Sequence, residues 1–161
     1  MRAREMTEIA LLTGLITLSG AFKIPSLFPG TEFQLSAPIA VAICVVFGFK
    51  KYIIAGVLSS LIGLMLGTQN VFNVAVACVF RLVVGAVLSL GGRNFWTIAI
   101  AGPIGTTIAR LSLSLIIGKA ATALLIAAVP GMVFTAIFAM PLVKLLERVY
   151  PSKEKRTAHV I

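Results

Sequence analysis

The sequence contains no aspartate, and its five acidic residues are all glutamates: Glu5, Glu8, Glu32, Glu147 and Glu154. There is one histidine, His159 near the end, and two cysteines, Cys44 and Cys78, both in apolar runs. Each shortage removes a class of chemistry. Holding Mg²⁺ for phosphate chemistry takes carboxylates, and none lies deep in an apolar segment. Intramembrane proteolysis by an aspartate pair is excluded, as is a zinc site of the H-E-x-x-H kind, and the cysteine spacing fits no zinc pattern. Serines in the apolar runs have no histidine to act as their base. There is no Walker loop, so the chain does not hydrolyse ATP by itself. Proton-driven transporters keep Asp, Glu or His at membrane depth, whereas Glu8 and Glu32 stand at segment edges. The expectation is a non-enzymatic chain, without cofactor or metal, that binds or scaffolds something or borrows energy from a partner.

Charge is scarce as a whole. Of 161 residues only 12% are charged and 59% are hydrophobic, with a mean hydropathy of +1.07. A soluble domain carries about 25% charged and 45–50% apolar residues, so too little polar sequence remains to cover a soluble core, and disorder is excluded outright. The expected fold is all-α: an integral membrane bundle of six transmembrane helices. At roughly 20 residues per crossing, the spans fall at about 6–22, 33–49, 52–68, 70–90, 95–117 and 120–145. Pro25, Pro29 and Gly30, then Lys50 and Lys51, Gln69 and Asn70, Gly91 to Arg93, and Gly118 with Lys119 separate them. Loops this short make neighbouring helices antiparallel. The runs are apolar on all sides rather than alternating, which argues against a β-barrel. Residues 1–150 form one transmembrane domain and 151–161 a short charged cytoplasmic tail. Arg2 and Arg4 ahead of an apolar run also fit a signal peptide, but removing it would leave five spans and spoil the charge pattern.

That charge pattern sets the orientation. With both termini cytoplasmic, ten Lys and Arg residues lie inside, Lys23 and Lys119 lie outside, and Arg81 and Arg110 fall within spans. This is a positive-inside distribution, and it places the protein as a multi-pass component of a bacterial-type cell membrane. The net charge of +9 then reflects topology and anionic-lipid contact and needs no nucleic acid. Phe47, Phe49, Tyr52, Phe95, Trp96 and Tyr150 are expected at the inner interface, and Phe22, Phe28 and Phe33 at the outer.

An arginine at membrane depth costs at least about 2.5–3.5 kcal/mol and should face the bundle interior or a wet cavity. In span four, Asn70, Asn73, Ala77 and Arg81 share one helix face; in span five, Pro103, Thr106, Arg110 and Ser114 do the same, with Thr107 on the flank. Arg81 lies roughly 16 Å and Arg110 roughly 12 Å below the outer ends of their helices, so the two can line one cavity in the outer half. Arginine suits carboxylate or phosphate through bidentate hydrogen bonds, and Glu32 in the first outer loop is either a ligand group or a salt-bridge partner. The candidate substrate-binding residues are therefore Arg110, Thr106, Thr107, Asn73, Arg81, Glu32 and Asn70. The structural alternative is that either arginine bonds broken backbone near Pro103 or snorkels to headgroups. Small residues mark close helix contacts: Ala10 and Gly14 in span one, and Gly56, Ser59 or Ser60, Gly63 and Gly67 in span three.

Over nearly its whole length the chain resembles an S component of an energy-coupling factor (ECF) transporter. The residues that carry this are Thr7-Glu8-Ile9-Ala10-Leu11-Leu12-Thr13-Gly14, like the family's A-x-x-x-A stretch with glycine as the second small residue; Ile24-Pro25 to Phe28-Pro29-Gly30, leading into Phe33-Gln34-Leu35-Ser36; Gly48-Phe49-Lys50-Lys51-Tyr52; and Ser59-Ser60-Leu61-Ile62-Gly63 with Leu66-Gly67-Thr68. The resemblance implies a chain that captures a vitamin, a vitamin precursor or a metal ion from outside. It also implies docking on a transmembrane coupling subunit that sits on two cytosolic ATPases. Ala10 and Gly14 would face that subunit, and the pocket would use the first outer loop with spans four to six. Phe28-Pro29-Gly30, Leu66-Gly67-Thr68 and Ala101 to Thr106 resemble S components assigned to thiamine precursors. Metal-specific members supply a histidine near the N-terminus, which this sequence lacks. Two other readings remain: a non-transport scaffold similar to the rod-shape-determining membrane subunit MreD, and a small oligomeric self-contained transporter. A scaffold needs no polar stripes, and a self-contained transporter binds no ATPase.

Overall fold

The segment Ser36–Phe47, SAPIAVAICVVF, is apolar on every side, and a helix of that kind must be buried all round. In the computed structural model, which describes residues 3–21, 23–25, 32–34, 36–117 and 120–150, it is the central helix α2. Every residue from Val41 to Val46 is buried. Its β-branched residues are mediocre helix formers, so its stability comes from the helices packed around it. These are α1 (Ala3–Ala21), α3 (Phe49–Met65), α4 (Val71–Gly91), α5 (Phe95–Ile117) and α6 (Ala120–Val149). The core joins α2 to Ile9, Leu12 and Ile16 of α1, Tyr52 and Ala55 of α3, Val84 of α4, Ile98 and Ala101 of α5, and Ala139 and Val143 of α6.

Two departures from the expected spans concern the start of the bundle. The second helix does not begin at 33. Glu32–Gln34 forms a strand, β2, paired antiparallel with β1 (Lys23–Pro25), with Lys23 opposite Gln34 and Pro25 opposite Glu32. Among the described residues the fold is therefore six helices plus one two-stranded antiparallel sheet rather than helices alone, and α2, at 12 residues, is roughly 18 Å long. The break between α2 and α3 also falls at Gly48, whose φ of +85° suits glycine and ends a helix. Lys50 and Lys51, expected as a loop, sit in the first turn of α3. The tail 151–161 lies outside the described residues. Among those described, Val71–Gly91 and Ala128–Val149 are long and apolar enough to cross a membrane.

Close approach along the seams relies on small residues. Gly102 of α5 meets Thr135 of α6, where an added Cβ would overlap the Thr135 methyl group. Thr135 is fixed there, because its Oγ1 donates to the Gly131 carbonyl at 2.8 Å. Gly105 of α5 lies opposite Phe80 and Val84 of α4, and Gly91 opposite Thr97, so α4 and α5 run antiparallel in a defined register. Overpacking such a contact costs about 1–3 kcal/mol. Gly102→Ala should accordingly lower the thermal midpoint of the detergent-solubilised protein, and adding Thr135→Ser, which removes the opposing methyl, should recover most of the loss. An unchanged midpoint in the single variant would show that the α5–α6 seam has slack.

Candidate functional site

The α4 start is built by local chemistry. Asn70 is the N-cap, in extended conformation, and its Oδ1 accepts from the Asn73 backbone N–H at 2.8 Å, satisfying one donor that a helix start leaves open. Asn70 and Asn73 are exposed, Ala77 is half-buried and Arg81 is buried. The stripe that shares one face in sequence thus enters the protein gradually and is fully enclosed only at Arg81.

Arg81 turns toward α3. Its Nη1 donates to Ser60 Oγ at 2.8 Å, and its guanidinium occupies the volume where a Cβ on Gly56 would stand. Cys78 on its own helix and Tyr52 on α3 are its remaining polar neighbours. Tyr52 was expected among the interfacial aromatics, but it is wholly buried, at 0% exposure. The signal was present in the sequence: Tyr52, Gly56, Ser59 or Ser60 and Gly63 fall on one helical face, so the stripe of small residues also carries a phenol. That stripe packs inside the bundle. Ser59 Oγ receives a hydrogen bond from Thr17 of α1 at 3.0 Å, and Gly63 lies against the Gln69 side chain, 3.0 Å from where its Cβ would be.

The α5 candidates form a separate group. Pro103, Thr106, Thr107 and Arg110 are all half-buried. Pro103 cannot donate to the helix ladder, and Thr107 Oγ1 donates to its carbonyl at 2.9 Å and lies 3.8 Å from Met132 Sδ of α6. The α4–α5 register puts Arg110 level with the early part of α4, nearer the Asn70 end than Arg81 is. The described contacts of Arg81 run to α3 and to its own helix. Glu32 is in β2, and its side chain, like that of Ser114, lies outside those described.

On α1, Ile9, Leu12, Thr13, Ile16 and Ser19 are buried. Ala10 is exposed, and a Cβ added at Gly14 would meet nothing within 4 Å. A polar cluster at one end was not anticipated. Glu8 accepts from Lys51 Nζ and from the Tyr150 hydroxyl, and from Arg4 Nε at 3.2 Å. Arg4 Nη2 also donates to the Tyr150 oxygen at 3.3 Å, and the Tyr150 ring packs on Phe47 with centroids 4.9 Å apart. This ties the start of α1 to the start of α3 and the end of α6. It also explains how a lysine is tolerated in the first turn of α3, where the helix dipole disfavours cations.

The chain is 48% identical over 142 residues to Protein BioX of Lysinibacillus sphaericus, an alignment covering 88% of this chain and 86% of that protein. It belongs to the BioX family. No family model matches the chain, and no solved structure matches it.

The Asn70 cap allows a discriminating measurement on this BioX-family chain. Asn70→Ala should lower stability by about 0.5–2 kcal/mol, while Asn70→Asp keeps the cap and the stability, as read by thermal unfolding in detergent. If both variants unfold like the parent, the cap contributes nothing and Asn70 is free for another role.

Proposed function

We propose that this protein is the substrate-binding S component of an ECF-type importer. It is a multi-pass protein of the cell membrane, crossing six times with both termini inside, and captures a vitamin or vitamin precursor from the outer side. Without catalysis of its own, it docks on a transmembrane coupling subunit driven by two cytosolic ATPases. The observation that carries this reading is the open small-residue face of α1. Ala10 is exposed and the space beside the half-buried Gly14 is open, although the opposite face of the same helix is buried, and small residues of this kind let another helix approach closely. The two helices long and apolar enough to cross a membrane and the ten inward-placed cations support the topology. The pocket is placed at the outer end of α4 and α5, with Arg110, Thr106, Thr107, Asn73 and Glu32 around it. For the substrate, the Bio- name of the relative favours biotin or a biotin precursor over a thiamine precursor. Such compounds bear a carboxylate that an arginine recognises by bidentate hydrogen bonds.

Mass spectrometry of the protein purified in mild detergent should find an equimolar small organic molecule, and biotin-type compounds should stabilise the protein above other vitamins. Absence of any bound or stabilising compound would count against transport. Arg110→Ala should weaken that binding by about tenfold or more, with far less effect on folded yield; equal loss of both would make Arg110 structural. Because the space at Gly14 is open, Gly14→Leu should fold and bind normally yet lose association with the coupling subunit in co-purification. Retained association would remove this face from the interface.

A further inference from the structure

The α3–α4 seam collects hydrogen-bond donors and supplies almost nothing to receive them. Arg81 is 6% exposed and Tyr52 is fully enclosed, and the Tyr52 hydroxyl has no hydrogen-bond partner among the described residues. A guanidinium carries five N–H donors and no acceptor. Ser60 takes a hydrogen bond from Nη1 and Cys78 beside it is a weak acceptor; these are the side-chain acceptors described for its five donors. Among the described residues, no carboxylate answers the charge. The sequence has no aspartate, and the described ion pairs are made by Glu8 with Arg4 and Lys51. A buried cation without a counter-charge and a buried hydroxyl without a partner are each costly, and here they are neighbours.

We infer that Arg81, Ser60 and Tyr52 form an anion site between α3 and α4 that takes a carboxylate group. The planar guanidinium fork matches two carboxylate oxygens, and the Tyr52 O–H, having no other acceptor, donates to one of them. Ser60 already receives from Arg81, so its own proton is also available. One cation serves the site, which suits a singly charged group; a phosphate dianion would need a second, and none is described in this seam. The carboxylate comes either from a small free acid or from the transported compound. The second source rests on the vitamin-binding reading, in which case the substrate's acid group is held at Arg81.

The test uses the full chain in mild detergent, in buffer otherwise free of chloride and carboxylates, with acetate, chloride, biotin and the neutral biotin amide as probes. Acetate should raise the thermal midpoint of the parent protein and leave that of Arg81→Gln unmoved. Tyr52→Phe, which removes an unpartnered hydroxyl and so should fold at least as well, should need about 10- to 100-fold more acetate for the same shift. If biotin binds more tightly than its amide, and Tyr52→Phe weakens biotin but not the amide, the transported compound supplies the group. If acetate acts and biotin does not bind, the anion site stands with a free acid, and the proposed vitamin falls. If biotin binds equally well to the parent, Arg81→Gln and Tyr52→Phe, and acetate has no effect, the transport reading stands and this inference is overturned. Stabilisation by chloride alone overturns the carboxylate assignment.

Discussion

The guanidinium of Arg81 fills the volume that a side chain on Gly56 would occupy, and the α3–α4 half of the bundle is arranged around that exchange. A long charged residue on one helix requires a missing side chain on the next, so α3 cannot slide past α4 without driving a Cβ into the cation. The same fit positions Ser60 one turn above Gly56 to receive Nη1, and Tyr52 one turn below it to lie beneath the charge. Removing a cation from water costs several kcal/mol even after relaxation. The burial of α2, continuous from Val41 to Val46, is among the apolar contributions that offset such a cost.

The other half of the bundle solves its packing differently. Between α5 and α6 the close contact is apolar, Gly102 on Thr135, and the polar groups bond within their own helices: Thr107 to Pro103, Thr135 to Gly131. Pro103, Pro130 and Pro141 each leave a carbonyl one turn earlier without its ladder donor. That half therefore contains the weakened backbone, and the α3–α4 half contains the charge. A ligand reaching both would touch a fixed cation on one side and adjustable helices on the other.

Long apolar helices were the easiest elements to read. The expected 95–117 span matches α5 residue for residue, because Gly91–Arg93 and Gly118–Lys119 punctuate a run that nothing else interrupts. The start of the chain was harder. Lys50 and Lys51 look like a loop by charge, but Lys51 is held in the helix by Glu8, 43 residues away, and no local pattern reveals a partner at that distance. The strand at Glu32–Gln34 is three residues long, too short for alternation to register. Among the site residues, Arg81 was legible as an enclosed cation because depth follows from position in the run. Its direction was not, since the asparagines that share its face are exposed. What settled the direction was the absence of a side chain at Gly56, a feature of the neighbouring helix.

Charge pairing separates the Glu8 cluster from the Arg81 seam. Where this chain uses a carboxylate structurally, at Glu8, it surrounds it with Lys51, Arg4 and the Tyr150 hydroxyl, so every oxygen is answered and three helices are joined. A sequence able to build that cluster had the means to give Arg81 an acid partner as well: one Glu on α2 or α3 would neutralise it. Instead the described residues facing Arg81 are Gly56, Ser60, Cys78 and Tyr52, none of them an acid. A structural arginine gains nothing from that arrangement, because an unpaired buried charge only costs stability. A recognition arginine requires it, because an internal carboxylate would compete with any acid arriving from outside. With no aspartate in the sequence, the buried Arg81 meets no competing acid among the described residues, which is the condition for recognising an acid there.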